Sequence, residues 1–85
     1  MAEFKIILSG SAVKEFEKLP GSVIERVREK IRSLGSNPRQ QGVKKLQGRP
    51  EHRVRVGDYR ILYTIDDHEK IVDISAIRHR SDVYA

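Results

Sequence analysis

Apolar and polar residues alternate near both ends of the chain, which is the pattern of strands with one buried face. At the N-terminus, Phe4, Ile6 and Leu8 alternate with other residues before the breaker Ser9-Gly10-Ser11. Three further strand patterns follow in the C-terminal half, each separated from the next by a short turn: residues 53–56, 59–65 and 71–77. Short turns between successive strands predict an antiparallel meander.

Between these strand patterns, apolar residues recur every three or four positions, which predicts two helices. The two apolar stripes are Ala12, Val13, Phe16 and Leu19, then Val23, Ile24, Val27, Ile31 and Leu34. Pro20-Gly21 separates the helices, Ser22 and Glu25 predict a capping box for the second, and Gly35 predicts its end. Residues 36–50 hold two prolines and two glycines and are predicted to be an ordered loop.

The predicted order is therefore β-α-α-β-β-β, an α+β fold in which the N-terminal strand joins the three-stranded meander in one sheet. With 85 residues, the chain is expected to be a single domain spanning 1–85. No apolar run approaches the roughly 20 residues that span a bilayer, and the N-terminal apolar stretch is too short for a signal peptide. Because cysteine is also absent, we expect a cytoplasmic protein without disulfides, thiolate metal sites or a membrane partner.

Positive charge is concentrated in one part of the chain. The sequence has 17 lysines and arginines against 12 acidic residues, a net charge of +5. Most of the excess lies between residues 44 and 60, in Lys44, Lys45, Arg49, Arg53, Arg55 and Arg60. Arginines on alternating strand positions predict a cationic sheet face, and such a face suits RNA; an ordinary solvated surface is the alternative.

The sequence offers few groups for other kinds of chemistry. No glycine-rich phosphate loop is present, and His52, His68 and His79 do not have metal-ligand spacing, so neither a cofactor nor a metal is expected. RNA can be cut without a metal when its own 2′-hydroxyl attacks the phosphate, provided that a base, a charge stabiliser and an acid are available. Arginine suits charge stabilisation, whereas proton transfer suits His79 or Tyr84 better.

Three segments together resemble the RelE/ParE toxin superfamily, and most closely its RelE branch. They are Lys45-Leu46-x-Gly48, Gly57-Asp58-Tyr59-Arg60-Ile61, and His79-Arg80-x-x-Val83-Tyr84. The resemblance implies a RelE-like fold and a toxin of a type II toxin-antitoxin system. It implies an endoribonuclease that inhibits translation by cutting messenger RNA in the ribosomal A site. It also implies an acidic RelB-like antitoxin, with operator DNA bound only through the toxin-antitoxin complex.

The resemblance also assigns roles to residues. The implied catalytic set is Arg53, Arg55, Arg60, Arg78, His79 and Tyr84, and the implied RNA and ribosome contacts are Lys44, Lys45, Arg49 and Arg80. Within the first set, Arg60 matches the family's arginine that contacts the scissile phosphate. Arg78 matches the residue proposed to donate a proton to the leaving group, and Tyr84 matches the tyrosine that orients the nucleotide. Arg53 and Arg55 stand where close relatives carry lysine, which leaves the general base open. His79 is a second candidate for the general acid.

Two other functions are compatible with the same sequence. One is a ParE-like toxin that binds DNA gyrase and catalyses nothing. The other is a catalytically weak toxin that acts with its antitoxin as a co-repressor, because arginine in place of lysine keeps charge but removes a titratable amine.

Overall fold

The helices and strands follow the predicted order, with one short strand and one short helix added. A computed structural model describes residues 3–83, and only the backbone of residues 82 and 83. Its elements are β1 (Lys5–Leu8), α1 (Gly10–Glu17), α2 (Gly21–Ser36), β2 (Lys44–Lys45), β3 (His52–Val56), β4 (Tyr59–Asp66), β5 (Ile71–His79) and α3 (Arg80–Val83). The α+β class is confirmed. The loop predicted at 36–50 contains β2, whose two residues are too few to give a periodic signal.

All five strands form one sheet in the order β1-β5-β4-β3-β2. The meander of β3, β4 and β5 is antiparallel, as predicted, and β2 extends it antiparallel to β3. The N-terminal strand joins the sheet at the opposite edge, where Lys5 to Leu8 pair in parallel with Ile71 to Ile74. The first and last strands of the chain are therefore neighbours.

Helices α1 and α2 bury their apolar stripes against one face of the sheet. The shared core contains Ala12, Leu19, Val27, Ile31 and Leu34 from the helical segments and Val54, Val56, Ile61, Tyr63, Val72, Ile74 and Ile77 from the sheet. The Tyr63 hydroxyl donates a 2.6 Å hydrogen bond to the carbonyl of Pro38, which ties the loop after α2 to the core. Burial raises the pKa of Tyr63 to about 12.

The helix ends differ in part from the prediction. Ser9 caps α1 by accepting a 3.1 Å hydrogen bond from the amide of Ala12. The capping box at Ser22 is wrong, because α2 begins at Gly21 and so includes Ser22, and its N-cap, Pro20, has no side chain that can accept a hydrogen bond. Gly35 lies within α2 rather than ending it; a Cβ atom there would stand 3.2 Å from the carbonyl oxygen of Phe4, so glycine allows α2 to approach the start of β1.

A cluster of polar side chains lies beside Tyr63, at one end of the core. The ring of His52 stacks on that of Tyr63, with 5.6 Å between centroids, and burial, Arg39 and Lys45 lower the pKa of His52. Arg39 donates hydrogen bonds of 2.9 and 2.8 Å to the two carboxylate oxygens of Asp67 and so lowers the pKa of that carboxyl. This cluster fixes the loop to the sheet.

Within residues 3–83, none of the helices combines the length and the hydrophobicity that a membrane crossing requires.

Candidate nucleic-acid interface

Three arginines stand side by side across the middle of the sheet. Arg60 on β4 is directly opposite Arg55 on β3 and directly opposite Arg78 on β5. Neighbouring strands lie roughly 4.8 Å apart, and like charges in directly opposed positions destabilise a sheet. We therefore expect the row to cost stability, and proteins accept such costs mainly at functional sites.

A second cationic pair flanks this row. Lys44 on β2 is opposite Arg53 on β3, and Arg53 is in turn opposite Leu62 on β4. Because side chains alternate along a strand, Arg53 and Arg55 share a face, while Val54 and Val56 point to the other face and are buried in the core. We refer to this surface as the arginine face: Lys44, Arg53, Arg55, Arg60 and Arg78. The prediction of a cationic sheet face is confirmed.

Arg60 differs from its neighbours because it is buried. Only 7% of the residue is exposed, and its Nη1 atom has no hydrogen-bond partner among the described residues. A buried charged donor normally has an acceptor, because leaving one unsatisfied costs free energy. The sequence pattern placed Arg60 on a solvent-facing position and did not predict this burial.

The arginine face opens into a cleft of about 480 Å³. Its lining residues are Lys30, Gln41, Gly42, Lys44, Arg53, Val54, Arg55 and Arg60, and none of these described residues carries a carboxylate. Converging cations without counter-charges, around a buried guanidinium with an unused donor, form a site for a strong anion such as phosphate. Lys30, on α2, was missed at the sequence level because its neighbours alternate in charge like an ordinary solvated helix face.

Arg78 is held at one end of the row by a helix residue. Its Nε atom lies 3.2 Å from Oε2 of Glu15, and Oε1 of Glu15 accepts a 2.8 Å hydrogen bond from the amide of Ile77. The amide is free to do so because β1 pairs with β5 only as far as Ile74. One carboxylate therefore fixes the Arg78 side chain and satisfies the exposed strand edge.

His79 does not lie on the arginine face, and the prediction that groups it there is wrong. It is directly opposite Tyr59, with the two rings in edge contact at 5.2 Å. Since neighbouring strand residues point to opposite faces, His79 and Arg78 diverge. The Nδ1 atom of His79 lies 3.0 Å from the Ser81 hydroxyl, at the start of α3.

The remaining predicted contact residues are dispersed. Lys45 points away from Lys44 and donates a 3.0 Å hydrogen bond to the carbonyl of Arg49. The Arg49 side chain is 3.1 Å from Glu51, which lowers the pKa of that carboxyl. Arg80 lies 4.0 Å from Asp58. None of these three lines the cleft described above.

Tyr84, the predicted nucleotide-orienting residue, lies outside the described residues. Between residues 3 and 83, the structure brings together no group of three or more histidine or acidic side chains that could hold a metal ion. The chemistry of the described site therefore depends on lysine and arginine.

The fold and site define a small α+β domain with a helical layer on one sheet face, the arginine face on the other, and a cationic cleft lined by residues of the arginine face and by Lys30 of α2. Residues 6–84 match the family model described as ParE toxin of type II toxin-antitoxin system, parDE. The match spans nearly the whole chain, and the protein belongs to this toxin family.

Individual relatives point to the RelE branch of the superfamily. The mRNA interferase toxin RelE of Escherichia coli is 32% identical over 79 residues, which cover 87% of this chain and 82% of the relative. Two solved structures share the fold. The toxin-antitoxin complex RelBE2 from Mycobacterium tuberculosis matches with a TM-score of 0.82 and 28% identity, over 92% of this chain and 99% of that one. The isolated E. coli RelE toxin matches with a TM-score of 0.80 and 27% identity, over 95% of this chain and 90% of that one.

Proposed function

We propose that this toxin is a ribosome-dependent endoribonuclease that cuts messenger RNA in the ribosomal A site and so stops translation. The observation that carries the proposal is the buried residue Arg60, which lines a cleft of cations and whose Nη1 has no acceptor within the described part of the chain. A phosphodiester supplies the missing acceptor, because its two non-bridging oxygens match the fork of a guanidinium. A surface that only bound a folded protein would not require a charged donor buried beneath it.

The reaction is an attack within the RNA itself. The 2′-hydroxyl loses its proton as its oxygen forms a bond to the adjacent phosphorus, the bond from phosphorus to the 5′-oxygen breaks, and the 5′-oxygen takes up a proton, which leaves a 2′,3′-cyclic phosphate and a 5′-hydroxyl. Negative charge increases on the phosphorane oxygens, where Arg60 and Arg55 stabilise it. Arg78, which Glu15 fixes at one end of the row, matches the residue that the resemblance assigns to the departing 5′-oxygen.

The two arginines of β3 supply charge in this mechanism rather than a titrating base, because arginine stays protonated under physiological conditions. Holding the RNA so that its 2′-oxygen lies in line with the scissile bond then accounts for much of the rate. The resemblance assigns Tyr84 to this positioning, by contact with the nucleotide base. His79 is left out of the mechanism because its side chain is on the other face.

The relatives support both the activity and a partner. The E. coli relative is named an mRNA interferase, and solved relatives are complexes with RelB antitoxins. We therefore include an acidic, RelB-like antitoxin that neutralises the arginine face, contact with operator DNA through that complex, and a cytoplasmic site of action. As a single domain, the chain carries toxicity and antitoxin binding on one surface.

The experiment is primer-extension mapping of messenger-RNA ends in a purified translation reaction. We expect cuts at in-frame A-site positions with ribosomes present, none without ribosomes, and none with Arg60→Met. Arg32→Met, which removes an exposed arginine paired with Glu29 on α2, should cut like the wild type. Intact message with folded wild-type protein would refute the proposal, and inhibition of gyrase supercoiling would then identify the ParE-like alternative.

A further inference from the structure

Lys30 reaches the phosphate cleft from a helix. It lies in the middle of α2, it is half-buried, and it lines the cleft together with Arg53, Arg55 and Arg60. The sheet leaves room for it, because β2 pairs with β3 only at His52 and Arg53. Residues 54–56 therefore form a free strand edge beside α2.

Among the residues whose side chains the structure describes, no carboxylate forms an ion pair with Lys30. The preceding residue, Glu29, is paired with Arg32 at 3.1 Å on the exposed side of the helix. The Lys30 Nζ atom instead donates a 3.3 Å hydrogen bond to Oε1 of Gln40, which is a neutral acceptor. Lys30 can therefore offer both its charge and its remaining donors to an anion.

Gln40 is itself held in place. Its Nε2 atom donates hydrogen bonds of 3.1 Å to the Ser33 hydroxyl and 3.0 Å to the carbonyl of Asn37. These two bonds determine which end of the amide faces Lys30, and the lysine is consequently oriented before a ligand arrives. Such preorganisation lowers the conformational entropy lost on binding.

A second cleft, of about 640 Å³, continues from the first along the same strand edge. Lys30 and Arg55 line both clefts, and Arg26 lines the second beside Gly57. A Cβ atom on Gly57 would stand 3.4 Å from the Arg26 guanidinium. Glu25 and Glu29 also line this cleft, and both are paired with arginines three residues further along α2.

We propose that Lys30 binds the phosphate adjacent to the one held by Arg60. The backbone of a single RNA strand then passes from the arginine face, across the free edge of β3, to α2. The identification of the polyanion as RNA rests on the proposed function, whereas the phosphate contact itself rests on the geometry of the two clefts.

The test is the affinity for a hexanucleotide RNA carrying 2′-O-methyl groups throughout, which cannot be cleaved by its own 2′-oxygen. Fluorescence anisotropy between 50 and 200 mM KCl gives both the affinity and its salt dependence. With Lys30→Met we expect roughly tenfold weaker binding, and a slope of log affinity against log salt that is about 0.7 shallower, the value for one lost contact with a single strand. Lys30→Arg should bind within about twofold of the wild type.

Lys18→Met is the matched control, because it removes one exposed lysine at the end of α1 that lines neither cleft. Thermal unfolding checks that each variant folds, and Lys30→Gln replaces the methionine variant if that one does not. Equal affinities and slopes for the Lys30 and Lys18 variants would overturn the proposal, as would a wild type that does not bind the RNA. If the wild type binds the RNA but shows no ribosome-dependent cleavage, the proposed function is refuted and the phosphate contact of Lys30 is not.

Discussion

Replacing Arg60 with methionine is expected to make the protein more stable and less active. The substitution removes the guanidinium of a residue that is only 7% exposed and whose Nη1 has no acceptor among the described residues, and it keeps an unbranched apolar side chain in the same space. Leaving a buried polar group unsatisfied costs about 1–3 kcal/mol, and like charges directly across a sheet add about 0.2–1 kcal/mol. Allowing for imperfect packing of methionine, we expect the free energy of unfolding to rise by about 2 kcal/mol.

Thermal and urea denaturation measure this gain. For a domain of 85 residues, about 2 kcal/mol corresponds to a rise in Tm of roughly 10 °C. Arg55→Met is the matched control: it removes the neighbouring charge in the same row from an exposed position, and we expect its stability to change by no more than about 0.5 kcal/mol. The contrast separates burial of the charge from charge repulsion within the row.

Inorganic phosphate provides the second half of the experiment. If phosphate occupies the cleft, it stabilises the wild type by about 1.4 kcal/mol at ten times its Kd, and potassium chloride of equal ionic strength does not. Arg60→Met should lose this response. A variant less stable than the wild type, combined with no specific effect of phosphate on the wild type, would show that Arg60 is structural and would refute the reasoning.

Three further changes test the fold and the positioning of Arg78. Because the pKa of His52 is lowered by folding, the folded protein binds fewer protons than the unfolded chain, so stability falls as pH drops from about 7 toward the folded-state pKa. In His52→Phe, Tm should therefore vary less between pH 7.5 and 5.5 than in the wild type. An unchanged dependence of Tm on pH would exclude His52 as its source. Tyr63→Phe removes the bond to Pro38 and should cost about 1–3 kcal/mol in urea denaturation; no cost would contradict its structural role. Glu15→Gln keeps an acceptor for the Ile77 amide but removes the negative charge that holds the Arg78 side chain. We therefore expect kcat for cleavage to fall about tenfold at unchanged RNA affinity. Weaker affinity with unchanged kcat would argue against a positioning role for Glu15.

Residue periodicity predicted most of the fold because each long element buries one face. The alternation in β1, β3, β4 and β5 and the two helical stripes correspond to the residues found in the core. The short strand β2 gave no periodic signal, and the beginning of α2 depended on Pro20, which is compatible with the start of a helix but cannot cap it through a side chain. Local sequence therefore indicated elements more reliably than their ends.

The site was predicted in part, for a similar reason. Alternation placed Arg53 and Arg55 on one face, but two properties that define the cleft depend on tertiary contacts. The burial of Arg60 and the approach of Lys30 from α2 arise from packing between elements distant in sequence. His79 was grouped with the site on its chemistry as a proton donor, whereas strand alternation puts it on the face opposite Arg78.

The parallel pairing of β1 with β5 has a consequence for the timing of activity during synthesis. The first strand made has no partner until the last strand emerges, since the order β1-β5-β4-β3-β2 puts β5 between β1 and the rest of the sheet. Contacts of such large sequence separation form late in folding. The same last strand carries Arg78, so a nascent or truncated chain lacks both a closed sheet and a complete arginine row. The cell that makes this toxin is therefore exposed to it only after β5 of each chain has been synthesised.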